Sequence, residues 1–324
     1  MLISFSLIIV NYKSSDYLLK CLKSIYENEK ENNFNVIVVD NASKDNSAEV
    51  IKGVSKTYKN FSYEILDEKK SFSYANNLGI KRSNAEFIVI LNPDIVLNDS
   101  TLERLKNNFN INPKLGAVSP YLIGTDKKFQ NRYFQKLPSV IQFVLFYSFL
   151  AKLFEKSKFL KNKFLYNLPE SDKVPKMNQA TSFAEVVQIP CAFFMTKKEV
   201  LNNIGLLDED YNLFFEDVDL SFRISSRYKI AVDTSVKVTH FGGSSFSDEN
   251  SNNYWMYGRF IMSMNLFFDK HYHALRNTLF KLFCVTNSLL LVFAEFAKGI
   301  FGKRNSIRIL KHKFFLKEFV RHYF

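Results

Sequence analysis

The chain has 324 residues, 47% hydrophobic and 23% charged, with 34 Phe and only 10 Gly. That composition excludes a disordered, collagen-like or disulfide-stapled protein and suits one large α/β domain plus an appendage. The formal charge of +12 is uneven: residues 127–176 hold 11 basic against 3 acidic side chains, residues 258–324 hold 12 against 3, and the remainder carries a net −5. A uniformly basic chain would point to nucleic acid. An acidic body with two basic attachments points instead to an anionic surface, such as a membrane, and away from nucleic acid.

The first half alternates strand-like apolar runs with helical spacing. Residues 4–10 form a continuous apolar run that lacks the basic n-region and cleavage site of a signal peptide, and reads as a buried strand. Leu18, Cys21, Leu22 and Ile25 follow at helical spacing. Residues 36–39 form a second strand, ended by Asp40-Asn41, and Ile51, Val54, Ser55 and Tyr58 a second helical stripe. Residues 61–66 and 87–91 read as further strands, the latter ended by Asn92-Pro93-Asp94. Leu102, Leu105 and Phe109 line another helix, with Asp99 or Ser100 as its cap. This alternation implies a mostly parallel sheet with helices on both faces.

Later in the chain, residues 186–195 read as one buried strand despite Pro190, 197–204 as a helix stopped by Gly205, and 216–227 as a helix. Residues 230–233 and 236–239 suit short strands, and a polar loop over 241–253 marks a domain boundary. The domains are therefore 1–253, with a basic amphipathic insertion at 139–168, and a basic, apolar helical region at 254–324. The insertion and residues 304–324 read as amphipathic helices that lie on membranes. Between them, residues 282–294 are strongly apolar but short for a spanning helix and closely flanked by Lys281, Glu295 and Lys298. Cys21, Cys191 and Cys284 are odd in number and widely spaced, which argues against disulfides or a zinc site and fits a reducing compartment.

Ligands of open parallel sheets bind beyond the carboxyl ends of the strands, so strand-terminal polar residues are the first candidates. Asp40-Asn41-Ala42-Ser43 reads equally as a turn with a helix cap or as a carboxylate placed to accept the imide N–H of a pyrimidine, with the Tyr12 ring as a wall. Asp94 follows an apolar run. It is either a turn residue or a ligand for a hard divalent cation whose remaining shell comes from phosphates and water, with Asn92 orienting it. Glu216-Asp217-Val218-Asp219 is an acidic first helical turn preceded by an aromatic run, where partial desolvation would make a competent base. Glu216 and Asp219 share a helix face and Asp217 points elsewhere. His240 closes a strand before Gly242-Gly243-Ser244-Ser245, as a structural imidazole or as a partner of metal or phosphate.

Six segments, in order, resemble the inverting glycosyltransferase family 2 of GT-A fold, in its rhamnosyltransferase-like branch. They are Ser6-Leu7-Ile8-Ile9-Val10-Asn11-Tyr12, Val38-Val39-Asp40-Asn41-Ala42-Ser43, Asn76-Asn77-Leu78-Gly79, Leu91-Asn92-Pro93-Asp94, Phe215-Glu216-Asp217-Val218-Asp219-Leu220 and His240-Phe241-Gly242-Gly243-Ser244. The resemblance covers residues 1–245 and implies a Rossmann-like α/β fold. It implies nucleotide binding by Tyr12 and Asp40 with Asn41, Ser43, Asn77 and Asn92 nearby, Asp94 and His240 at a divalent metal (Mn2+ or Mg2+), Asp217 as catalytic base and Glu216 at the acceptor. The expected activity is transfer of a hexose or a deoxyhexose such as rhamnose, from a dTDP- or UDP-sugar to a glycan or polyprenyl-linked acceptor for cell-surface polysaccharide, on the cytoplasmic face of the membrane. A nicotinamide oxidoreductase is disfavoured because Val10-Asn11-Tyr12-Lys13 stands where G-x-G-x-x-G is required. A catalytically silent nucleotide-sugar binder would share the same motifs.

Overall fold

The computed structural model describes residues 3–29, 33–98, 100–168, 183–242, 254–299 and 305–324. In chain order the elements are β1 (Phe5–Asn11), α1 (Ser15–Asn28), β2 (Phe34–Asp40), α2 (Ser47–Thr57), β3 (Phe61–Ile65), α3 (Phe72–Arg82), β4 (Phe87–Leu91), β5 (Ile95–Val96), α4 (Thr101–Ile111) and β6 (Leu115–Ile123). Helices α5 (Val140–Phe146), α6 (Ala151–Phe154) and α7 (Lys158–Phe164) follow, then β7 (Phe183–Val186), β8 (Phe193–Lys197), α8 (Lys198–Ile204), α9 (Glu216–Ser225) and β9 (Lys229–His240). Helices α10 (Tyr254–His271), α11 (Ala274–Gly299) and α12 (Ser306–Tyr323) complete the chain.

The chain divides into two units. The first comprises the described residues within Met1–Leu137, Tyr166–Asp210 and Glu216–Ser247 and carries the whole sheet. Its strand order is β3-β2-β1-β4-β8-β6-β9-β5, with β7 paired to β9. Strands β3, β2, β1 and β4 are mutually parallel, β8 is antiparallel to both β4 and β6, and β9 is parallel to β6. The expected mostly parallel α/β sheet flanked by helices is therefore present. Strands β1 and β4 are buried along their whole length, as continuous Val/Ile/Leu runs demand, and the stripe Leu18, Cys21, Leu22 and Ile25 of α1 packs into the same core. Helix α3 lies so close to the sheet that a Cβ at Gly79 would meet Ile8 Cγ2 at 2.6 Å, which accounts for glycine there.

Four elements differ from expectation. The run 186–195 is two strands, because Pro190 lacks the N–H a ladder needs; β7 pairs with β9, and β8 with β4 and β6. The two short strands expected at 230–239 are the single strand β9. Strand β6 was not evident from the sequence, for Gly116 and Pro120 interrupt its run, and its register against β9 shifts at both places. Ser100 precedes α4 without a side-chain cap, and Asp99 lies outside the described residues; Glu29 Oε1 instead accepts the Leu102 N–H at 3.2 Å.

The second unit comprises the described residues within Pro138–Leu165, Tyr211–Phe215 and Asp248–Phe324. The expected amphipathic insertion is three short helices. Serines cap two of them: Ser139 Oγ accepts the Gln142 N–H at the start of α5, and Ser157 Oγ the Leu160 N–H at the start of α7. Helix α11 spans 26 residues, twice the apolar run legible in the sequence. The polar loop at 241–253 lies outside the described residues except for Phe241 and Gly242.

Candidate functional site

The parallel strands deliver their last residues to one rim of the sheet. Asn11 ends β1 opposite Asp40, which ends β2; Leu91 ends β4 just before Asn92; and β9 ends at His240, paired with Ile95. Strand β8 runs the other way and so begins there, with Phe193 opposite Leu91. Residues distant in sequence thus share one edge, where a parallel α/β sheet binds its ligands.

At the β1–β2 end, Asp40 is fully buried and both carboxylate oxygens are held. Asn11 Nδ2 donates to Oδ1 at 2.7 Å, and the Ser43 N–H donates to Oδ2 at 2.9 Å. The chain closes this loop through Ala42 in the left-handed region (φ 58°), and Ser43 Oγ accepts the Lys13 N–H at 2.9 Å. Asn41 clamps Lys70: its Nδ2 donates to the Lys70 carbonyl (2.9 Å) while its Oδ1 accepts the Lys70 N–H (2.8 Å). That clamp carries Lys69 over the Tyr12 ring, with Nζ 3.7 Å from the centroid. Asn77 bonds elsewhere. Its Nδ2 donates to the Leu207 carbonyl and Glu209 Oε1, both at 2.8 Å, and its Oδ1 accepts the Leu207 N–H. Asn77 therefore ties α3 to the 207–209 segment.

In the middle of the rim, Asp94 and His240 meet. Asp94 Oδ2 accepts the Gly242 N–H at 3.0 Å, and Oδ1 lies 3.4 Å from His240 Nε2, with both side chains almost fully buried. Gln130, which the sequence reading did not single out, fixes the imidazole. Its Nε2 donates to the His240 carbonyl (2.9 Å), so its Oε1, 2.6 Å from Nδ1, must accept a hydrogen from that nitrogen. The remaining nitrogen, Nε2, faces the Asp94 carboxylate. Imidazole nitrogen and carboxylate oxygen are thus turned toward each other, as two protein ligands of one cation would be. This pair fits a hard divalent ion that takes one or two protein ligands and fills its shell with phosphate oxygens and water; among the described residues no cluster of three or more such ligands exists. Gly242 sits at φ 70°, and a Cβ there would come within 3.1 Å of both Arg132 Nη2 and Tyr133 Oη, so glycine keeps its N–H close to Asp94. No pattern in the sequence pointed to Gln130, which sits in an irregular stretch after β6.

At the far end are Glu216 and Asp217, the first residues of α9. The chain enters them through Phe214 (φ 67°) and Phe215 (φ 71°), two successive bulky residues in the left-handed region, a costly backbone of the kind held at functional sites. Asp217 is partly exposed; it accepts the Val218 N–H at 2.8 Å and the Cys191 N–H. Glu216 is buried, with Oε2 lacking a hydrogen-bond partner among the described residues. Desolvation holds both carboxyls above the usual carboxylate range, and the Asp217 charge adds to the rise at Glu216; backbone N–H groups oppose the rise at Asp217. Asp219 is structural. It pairs with Arg223 at 2.7 Å, whose guanidinium also bonds the carbonyls of Ile204 and Leu206. The Pro190–Ala192 turn joins this end to the middle: Cys191 N–H reaches Asp217, and the Ala192 carbonyl accepts the Asn92 N–H at 3.0 Å. Cys21, Cys191 and Cys284 are all buried and unpaired, as expected.

A family model described as glycosyl transferase family 2 matches residues 6–184. The chain is 31% identical over 117 residues to the poly-beta-1,6-N-acetyl-D-glucosamine synthase of Staphylococcus epidermidis, covering 35% of this chain and 27% of that protein. It is 31% identical over 100 residues to the glycosyltransferase AglE of Haloferax volcanii, covering 31% of this chain and 33% of that one. The chain thus spans a third or less of the length of these curated relatives. Among solved structures it is similar to GalNAc-T7, crystallised with UDP, GalNAc and Mn2+, at a TM-score of 0.56 and 10% identity, covering 74% of this chain and 43% of that one. That likeness speaks for the fold.

Proposed function

The chain belongs to glycosyltransferase family 2, and on that premise we propose that it transfers a hexosyl or deoxyhexosyl group, with inversion, from a uridine or thymidine diphosphate sugar to a hydroxyl of a glycan or lipid-linked acceptor. The observation that carries this reading is the lining of one sheet rim by three chemically distinct stations: Asp40 with Asn11, Asp94 with His240, and Asp217 with Glu216. The rhamnosyl branch suggested by the motifs has no counterpart among the names of the relatives above, so the sugar is left at this class.

In this reading Asp40, held rigid by two hydrogen bonds, presents its remaining lone pairs to the imide N–H of the base. Tyr12 supplies the stacking wall, and Asn41 and Ser43 hold the loop shape. Asn77 and Asn92 act from behind the donor pocket, through the 207–209 segment and the Pro190–Ala192 turn. Asp94 and His240 would hold a divalent metal, whose chemistry when bound is to neutralise charge growing on the departing diphosphate. Asp217 takes the acceptor hydroxyl proton as that oxygen attacks the anomeric carbon opposite the leaving group. Its raised pKa makes it a stronger base than an ordinary carboxylate, and its backbone N–H bonds fix its direction. Glu216 binds the acceptor hydroxyls. The basic surplus of residues 258–324 supports work at the cytoplasmic face of a membrane rich in anionic lipid.

The test is a thermal-shift screen of UDP- and dTDP-sugars with and without Mn2+, followed by transfer and donor-hydrolysis assays. Stabilisation by one donor together with turnover is expected. Binding without turnover would favour a silent nucleotide-sugar binder, and no binding by any donor would end the proposal.

A further inference from the structure

We propose that the outward face of α11 seats in the hydrocarbon of an anionic lipid bilayer. The proposal rests on the membrane reading above and adds the surface that does the holding.

Helix α11 has the polarity of a water-soluble helix turned inside out. Its inward positions include Asn277, Asn287, Ser288 and Glu295, each bonded within the helical unit. Asn277 and Lys281 bond Asp269, Asn287 Oδ1 accepts the Phe149 N–H at 2.8 Å, Ser288 meets His312 Nδ1 at 3.2 Å, and buried Glu295 is held by Lys298 and Arg308. Its exposed large apolar side chains are Leu275, Leu279, Leu282, Leu289, Leu290, Phe293 and Phe296, each 44–74% exposed, with Thr278 and Thr286 exposed among them. Between Arg276 and Lys298 the only ionisable side chains on the helix other than Cys284 are Lys281 and Glu295, both turned inward. An apolar stripe along a 26-residue helix, about 39 Å at 1.5 Å per residue, is far beyond what a soluble monomer leaves in water.

Charge selects the occupant. Residues 258–324 carry 12 basic against 3 acidic side chains, so a second copy of the chain would bring the same positive charge to the interface. An anionic bilayer offers hydrocarbon for the stripe and negative headgroups for the cations around it. The helix lies along the surface and does not cross, because its polar inward face stays bonded to α10 and α12. Beside Leu275 and Leu279 the unit holds an apolar groove of about 380 Å³, lined also by Val144, Phe280 and Phe283, with Arg276 as the one charged residue in its wall. It suits one hydrocarbon chain whose phosphate meets that guanidinium.

The experiment is vesicle flotation of the full chain on phosphatidylcholine vesicles with and without phosphatidylglycerol, at low and high salt. Charge alone gives binding that salt releases; a seated α11 gives a salt-resistant fraction. The parent is expected to keep that fraction on anionic vesicles. Leu289→Asn with Phe293→Asn should lower it about fivefold or more while the thermal transition and transfer to a soluble acceptor stay unchanged. Both side chains are exposed, so the polar replacements leave the fold intact. A variant retained at high salt like the parent would overturn the assignment to α11, as would a variant that only converts a dimer to a monomer. No parent binding even at low salt would remove the membrane reading itself.

Discussion

Asp40 and Glu216 are both buried carboxyls of the sheet-bearing unit, yet their surroundings are opposite. Asp40 has a hydrogen-bond donor on each oxygen, whereas Glu216 has a bare Oε2 and a like-charged neighbour, and its pKa rises. A carboxylate supplied with donors is fixed in place, suited to recognising an N–H. A desolvated pair is held close to neutrality, suited to exchanging protons at ordinary pH. One rim thus combines a recognition end and a proton-transfer end, distinguished by how many donors the backbone and amides supply.

The largest effect should come from the proton-transfer end. Asp217→Asn keeps the size of the side chain but cannot accept a proton, so kcat should fall about 10³-fold with donor KM nearly unchanged. In the parent, kcat/KM should decline on the acid side at a pH above the usual carboxylate range, because the base must be ionised and its pKa is raised. Full turnover by the Asn variant would dissolve the distinction between the two ends. Next in size, Asp94→Ala should weaken metal-dependent binding of UDP about 100-fold while leaving binding of uridine intact, measured by calorimetry with and without Mn2+. Equal losses for both ligands would move Asp94 to the recognition end.

Gln130→Ala tests the imidazole's orientation and should lower Mn2+ affinity about tenfold. The smallest effects are on stability and carry opposite signs. Asp40→Ala strands the Asn11 amide and the Ser43 N–H and should cost about 1–3 kcal/mol by chemical denaturation. Glu216→Gln should raise the Tm by a few degrees at alkaline pH and leave it unchanged in acid. A folded-state pKa above the unfolded one means stability is lost as pH rises between the two, and the amide escapes that loss. A Glu216→Gln protein less stable than the parent at every pH would show its carboxyl to be well bonded after all.

Much of this was legible from periodicity and strand ends. Apolar runs located β1, β2 and β4, and the polar residues after these three mark the rim, because parallel topology sends their ends to one edge. Strand β6 was hidden because Gly116 and Pro120 break its pattern, and the split at Pro190 was missed because a buried run shows no period to interrupt. Gln130 illustrates the limit for sites. It works by orienting another polar side chain across many residues, a relation with no local spacing to betray it. The inverted polarity of α11 was equally hidden, since a helical stripe does not say which side faces in.

The reversed direction of β8 has a consequence for how the rim handles charge. A strand that ended there would normally lead into a helix, whose first turn brings a partial positive charge toward whatever lies beyond. A strand that starts there is entered through a tight bend, and the Pro190–Ala192 bend offers only single, neutral peptide groups, one N–H to Asp217 and one carbonyl to Asn92. Asp217 is thereby aimed by this bend and by the first turn of its own helix, while desolvation keeps it a stronger base.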